Sequence, residues 1–98
     1  MSVEVWAEIN SDGDTTRYHS PNGQQITSGY DGKGKYSVNL GGNFELPPYV
    51  LASVRADDGN PTNKVVSVIT AQKNLVKIGV KADRETSKRP FTIWAYQP

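Results

Sequence analysis

The chain contains no cysteine and a single histidine in 98 residues, and its 11 basic side chains nearly cancel its 10 acidic ones. Without cysteine there is neither a disulfide framework nor a thiolate metal site, so a β protein this small depends on packing or oligomerisation for its stability. The one histidine, His19, has Ser20 beside it. No Gly-x-Ser-x-Gly elbow and no carboxylate at a motif spacing supports a triad, which makes His19 a solvated loop residue. A net charge of +1 lacks the basic excess that phosphate backbones demand, which argues against nucleic acid. Long apolar runs are missing too. The run from Tyr49 to Ala52 is far short of the ~20 residues that cross a bilayer, and the start Met-Ser-Val-Glu shows neither a charged n-region nor an apolar h-region. Neither membrane insertion nor a signal peptide is expected.

What the chain does have is alternation. In Arg89-Pro90-Phe91-Thr92-Ile93-Trp94-Ala95-Tyr96, Phe91, Ile93 and Ala95 leave one face of a strand and Thr92, Trp94 and Tyr96 the other. Residues 3–9 repeat the pattern, with Val3, Val5, Ala7 and Ile9 inward and Glu4, Trp6 and Glu8 outward. Both tryptophans therefore fall on nominally outer faces. Trp6, Trp94 and Tyr96 offer more apolar surface than so small a monomer should leave wet, which makes them candidate subunit-interface residues. The same rings can instead complete a second packed layer or stack on the flat face of a sugar.

Asn10-Ser11-Asp12-Gly13 is a turn in which Gly13 takes the positive φ other residues resist, and residues 14–25 form a polar surface loop with at most a short exposed strand over 15–19. Residues 26–30 and 35–40 flank Asp31-Gly32-Lys33-Gly34 and read as a hairpin with Tyr36, Val38 and Leu40 facing in. Phe44 and Leu46 plug one end of the core, and Pro47-Pro48 forces an extended approach to the next strand. There, Val50, Ala52 and Val54 face in, and Leu51 on the other side suggests a strand covered on both faces. Residues 57–63 are a dense polar turn cluster. The nearly continuous apolar run over 64–70 reads as a strand in the middle of a sandwich. Residues 74–82 alternate cleanly, and residues 83–88 form a charged loop. No window carries helical spacing, so the expectation is an all-β, antiparallel, roughly six- to seven-stranded sandwich in one domain over residues 1–98. Such a chain buries roughly two-thirds of its unfolded surface.

Catalytic and metal constellations are sparse. Asp12, Asp14, Asp57 and Asp58 lack the spacing of a calcium loop, which gathers about six to eight oxygens, and they read as turn formers. Gly29-Tyr30-Asp31-Gly32-Lys33-Gly34 joins two strands and opens no helix, so it is not a phosphate loop. A glycan hydrolase would set two carboxylates about 5 to 9.5 Å apart across a groove. Glu4, Glu8, Glu45 and Glu85 are poorly placed partners for that, and no enzyme, cofactor or metal is expected. Polar groups on a rigid scaffold beside a ring do suit sugar hydroxyls. That points to the loops over 17–22 and 57–63, with Arg17, Tyr18, His19, Asn22, Asp57, Asp58, Asn60 and Asn63 as candidate ligand contacts, and with Tyr30 and Arg84 joining them.

The order of elements resembles the C-terminal β-sandwich modules of bacteriophage tail fibres and related bacterial surface proteins. The residues that carry the likeness are Ala7-Glu8-Ile9-Asn10-Ser11-Asp12-Gly13, then Gly34-Lys35-Tyr36-Ser37-Val38, then Tyr49-Val50-Leu51-Ala52-Ser53-Val54, and the closing Arg89-Pro90-Phe91-Thr92-Ile93-Trp94-Ala95. Pro47-Pro48-Tyr49-Val50-Leu51-Ala52-Ser53-Val54 with Ile93-Trp94-Ala95-Tyr96 is also similar to the H-type lectins. The resemblance implies an antiparallel sandwich that trimerises, binds a cell-surface glycan through its rim loops and works on a virion or outside the cell. The competing expectation is a structural module that trimerises or caps a fibre and has no ligand of its own.

Overall fold

The computed structural model describes residues 2–54, 64–82 and 85–98. They form nine strands and no helix: β1 (Val3–Ile9), β2 (Thr15–His19), β3 (Thr27–Gly32), β4 (Lys35–Asn39), β5 (Tyr49–Val54), β6 (Lys64–Ala71), β7 (Leu75–Ala82), the two-residue β8 (Glu85–Thr86) and β9 (Phe91–Gln97). All pairings are antiparallel. The first sheet runs β2-β1-β9-β5, and the second runs β3-β4-β7-β6 with β8 attached to β7. The architecture is a β-sandwich with more strands than the six or seven the sequence suggests. The surplus is β2, which pairs with β1 through a bulge at Thr16, and the short β8, which forms within the stretch that reads as a charged loop.

The core is built by period-two burial. Val5, Ala7 and Ile9 of β1 and Phe91, Ile93 and Ala95 of β9 meet Tyr36 and Val38 of β4 and Val76, Ile78 and Val80 of β7, every one of them buried. Ile26, Leu40 and Phe44 close the ends. Leu46 does not act as a plug beside Phe44, because it lies outside the core at 63% exposure. Nor is β5 covered on both faces: it is an edge strand, and Leu51 points to solvent at 65% exposure.

Nor does the apolar run over 64–70 lie in the middle of the sandwich. β6 is the edge of the second sheet, with Val65, Val68 and Ile69 exposed. The pairing with β7 slips between Val68 and Thr70, and such a bulge turns successive side chains out of strict alternation. A continuous apolar string is therefore produced by a bulged edge as well as by a doubly covered strand.

Tyr36 joins the two sheets. Its ring meets Phe91 edge-on at 4.9 Å and Tyr30 at 4.8 Å, while its hydroxyl donates to the Ser11 carbonyl at 2.7 Å. Burial, reinforced by Tyr30 and Asp12, pushes the phenol up to about 12. A folded-state value above the unfolded one stabilises the fold at all pH values below the unfolded value, and that contribution is lost as pH rises through the folded value. Unfolding free energy is accordingly expected to fall by about 2 to 3 kcal/mol between roughly pH 10 and pH 12 from this group alone. Chemical denaturation of the wild type and of Tyr36→Phe across that window checks it: the variant should lose the part of the slope that belongs to Tyr36. Parallel slopes would show that Tyr36 does not titrate with folding.

Candidate functional site

The outer face of the first sheet collects the outward aromatics into a row. Antiparallel register sets His19 of β2 opposite Trp6 of β1, Trp6 opposite Trp94 of β9, and Trp94 opposite Leu51 of β5. Directly paired residues share a face, so the four side chains cross the whole sheet. At ~4.8 Å between strands the row is about 14 Å long. The Trp6 and His19 rings lie 6.4 Å apart and 23° from parallel. Along β9, Trp94 and Tyr96 stack at 5.3 Å and 7°.

Polar side chains border the row. On one side Arg17, Glu8, Thr92 and Ser53 are paired across the same four strands. Glu8 takes two hydrogen bonds from Arg17, from Nε at 2.8 Å and Nη2 at 2.6 Å, and this hydrogen-bonded carboxylate raises the guanidinium further above its usual value. On the other side Glu4, Tyr96 and Tyr49 are in register. Two shallow hollows flank the stacked pair. One of about 370 Å³ lies between Trp94, Leu51, Ser53 and Thr92, and one of about 390 Å³ lies between Tyr96, Tyr49, Leu46 and Pro47.

The three aromatics singled out in the sequence are thus on one surface, but only half-buried, since each leans on a neighbour. The wet apolar area comes instead from Tyr49 at 71% exposure, Leu51 and Leu46. Sequence reasoning missed Tyr49 and Leu51 as members of the site. Their signal was the outward phase they share with Ser53 on β5.

The expected loop site divides. Arg17 and His19 join the sheet face through β2. Tyr18 pairs with buried Ala7, which puts it on the core side of the edge strand at 41% exposure. Asn22 is a structural clasp: its Nδ2 donates to the Gly41 carbonyl at 2.8 Å, and its Oδ1 accepts from Ser20 Oγ and from Gln24 N. Asn43 completes the clasp by accepting from Asn22 N and donating to Ser20 Oγ. Tyr30 is equally occupied, with its hydroxyl accepting from Gly34 N, its ring on Tyr36 and Lys88 Nζ 4.8 Å above the ring centre. The structure therefore does not bring Asn22 or Tyr30 to the sheet face. Asp57, Asp58, Asn60, Asn63 and Arg84 lie outside the described residues. Among the described residues, no group of three or more His, Cys, Asp or Glu side chains is arranged to hold a metal ion.

Comparison with family models, curated proteins and solved structures finds no match to this chain in any of the three.

Proposed function

We propose that the domain is a non-enzymatic carbohydrate-binding module, a lectin-like receptor-binding tip of a phage tail fibre or related surface protein with the build of an H-type lectin, and that it takes its glycan on the outer face of the first sheet. The observation that supports this reading is the His19–Trp6–Trp94–Leu51 row bordered by polar side chains. A sugar ring has apolar C–H faces and a polar rim. Rings and a leucine receive the faces, while Glu8, Arg17, Thr92 and Ser53 stand where hydroxyls need donors and acceptors. A virion or extracellular setting goes with this role, as does a host-cell glycan as partner.

A glycan array screened with the wild-type domain supplies a ligand for titration. Trp94→Ala is expected to weaken its binding about tenfold, the loss of roughly 1.4 kcal/mol of ring contact, with the fold kept by circular dichroism. Undiminished binding by that variant, or amide shifts confined to residues 20–25, would overturn the location.

A second reading is that this face is the subunit interface of a trimerising or capping module. Exposed Leu46, Tyr49 and Leu51, continuous with the aromatic row on an edge strand, favour it. Sedimentation separates the two. An interface predicts a trimer that Leu51→Lys dissociates, and a glycan platform predicts an assembly state that this change does not alter.

A further inference from the structure

The outer face of the second sheet carries a different chemistry. Its register places Lys35 of β4, Gly79 of β7 and Ser67 of β6 in one row. The missing side chain at Gly79 leaves a trough between the other two. Ile69 at the bulge leans over it, its Cδ1 only 3.2 Å from where a Cβ on residue 79 would sit, and so forms an apolar wall. Lys81 lies two residues further along β7, opposite Thr86 of β8. Lys33 reaches the same place from the β3–β4 turn. The result is a hollow of about 290 Å³ lined by Lys33, Lys35, Lys81, Ser67, Thr86 and Ile69.

Three features mark it as more than a solvated face. First, among the described residues no carboxylate pairs with Lys33, Lys35 or Lys81. The nearby Asp31 instead accepts a hydrogen bond from Ser37. Second, Lys35, Lys77 and Lys81 all point outward from β4 and β7 of this sheet, where the neighbouring carboxylate on β3 is that of Asp31. Third, Lys33 is the non-glycine residue among those described with positive φ, at 53°. That conformation favours Gly, Asn or Asp, and strain of this kind gathers at functional positions.

We propose that this hollow is a second binding site, for an acidic oligosaccharide that carries carboxylate or sulfate groups on its rings. Lys35 and Lys81 occupy diagonal positions on adjacent strands, about 7 to 8 Å apart at their backbones. Separated ammonium groups match single anions spaced along a chain better than one compact phosphate, which calls for converging donors. Ile69 supplies cover for a ring face, and Ser67 and Thr86 supply hydroxyl partners. Among the described residues no aromatic lines the hollow for base stacking, which disfavours a single-stranded nucleic acid. The site stands on its own observations, independent of the aromatic row on the opposite sheet.

The test titrates the domain with a heparin-derived hexasaccharide and an oligogalacturonate, with maltohexaose and a single-stranded oligonucleotide as controls, at low and physiological salt. Binding of either acidic sugar but of neither control is expected, with amide shifts at Gly34, Ser67 and Gly79 and with affinity falling as salt rises. Lys35→Gln/Lys81→Gln should weaken binding about five- to tenfold, and Trp94→Ala should leave it unchanged. These surface changes leave the core intact, and thermal unfolding verifies that. The proposal is overturned by any of three results: no binding of either acidic sugar at low salt, equal binding of the oligonucleotide, or wild-type affinity in the double variant. A response to Trp94→Ala would assign the acidic sugar to the other sheet.

Discussion

Replacing Gly13 with alanine is expected to lower the unfolding free energy by about 3 kcal/mol or more, close to the limit of what one methyl group can do. Two penalties combine. Gly13 has φ of +97°, in a region that an L side chain resists, and a Cβ there would lie 2.4 Å from Tyr30 N and 2.8 Å from Gly29 C. Both obstacles are backbone atoms of β3, which cannot rotate away as a side-chain tip would. The turn is also pinned: Asn10 Oδ1 accepts from Asp12 N and Asp14 N, and Ser28 Oγ donates to the Gly13 carbonyl at 2.6 Å. Since that bond uses the only proton of Ser28, the 2.6 Å contact between Thr15 Oγ1 and Ser28 Oγ has threonine as donor. Urea titration of the Gly13→Ala variant measures the effect. A loss below about 1 kcal/mol, the scale of an ordinary Gly-to-Ala change, would mean that the turn and β3 are not in contact.

Phe91→Ala should cost about 3 to 5 kcal/mol, the range for removing a fully buried aromatic ring. Phe91 begins β9, is paired with Ile9 on one side and Val54 on the other, and supplies the ring against which Tyr36 packs edge-on. Its removal opens a void under the one residue that also bonds the Ser11 carbonyl, so the neighbours cannot collapse freely into the space. Denaturation midpoints of the wild type and the variant, at matched m-values, give the number. A midpoint shift worth less than about 1 kcal/mol would show that the sheets are not held at this point.

Local order was legible in the sequence because it depends on neighbours two residues apart. Phe91-Thr92-Ile93-Trp94-Ala95 and Val76-Lys77-Ile78-Gly79-Val80 show their buried faces by alternation, and Gly13 announced its own turn. The registers between distant strands were not legible. Nothing within residues 3–9 says that Trp6 will face Trp94, or that Leu51 will extend their row, because those pairings depend on contacts between opposite ends of the chain. Bulges mislead for a related reason. One extra residue at Val68–Thr70 made an exposed edge look like a buried strand. The loop over 17–22 misled through its composition: Ser20, Asn22 and Asn43 are as polar as a sugar site demands, yet they spend that polarity on each other. Lys33, Lys35 and Lys81 were dispersed through the chain, and only the pairing of β4 with β7 gathers them.

The place of β9 between β1 and β5 bears on how the domain can be made. Of these strands a nascent chain presents β1 and β2 before the others, and they can pair at once. β5 then emerges with no strand of its own sheet beside it, because the strand that joins it to β1 is built from residues 91–97. Closure of the first sheet therefore waits for β9, and until β9 is in place the buried Val5, Ala7 and Ile9 of β1 lack their partners Ala95, Ile93 and Phe91. A truncation before Phe91 would strip a central strand and return the domain to that open condition. Because Val3 is paired with Gln97, the two ends of the folded chain lie side by side, so a short splice between them with new ends cut at the β3–β4 turn would let β9 and β1 emerge in succession and remove the delay.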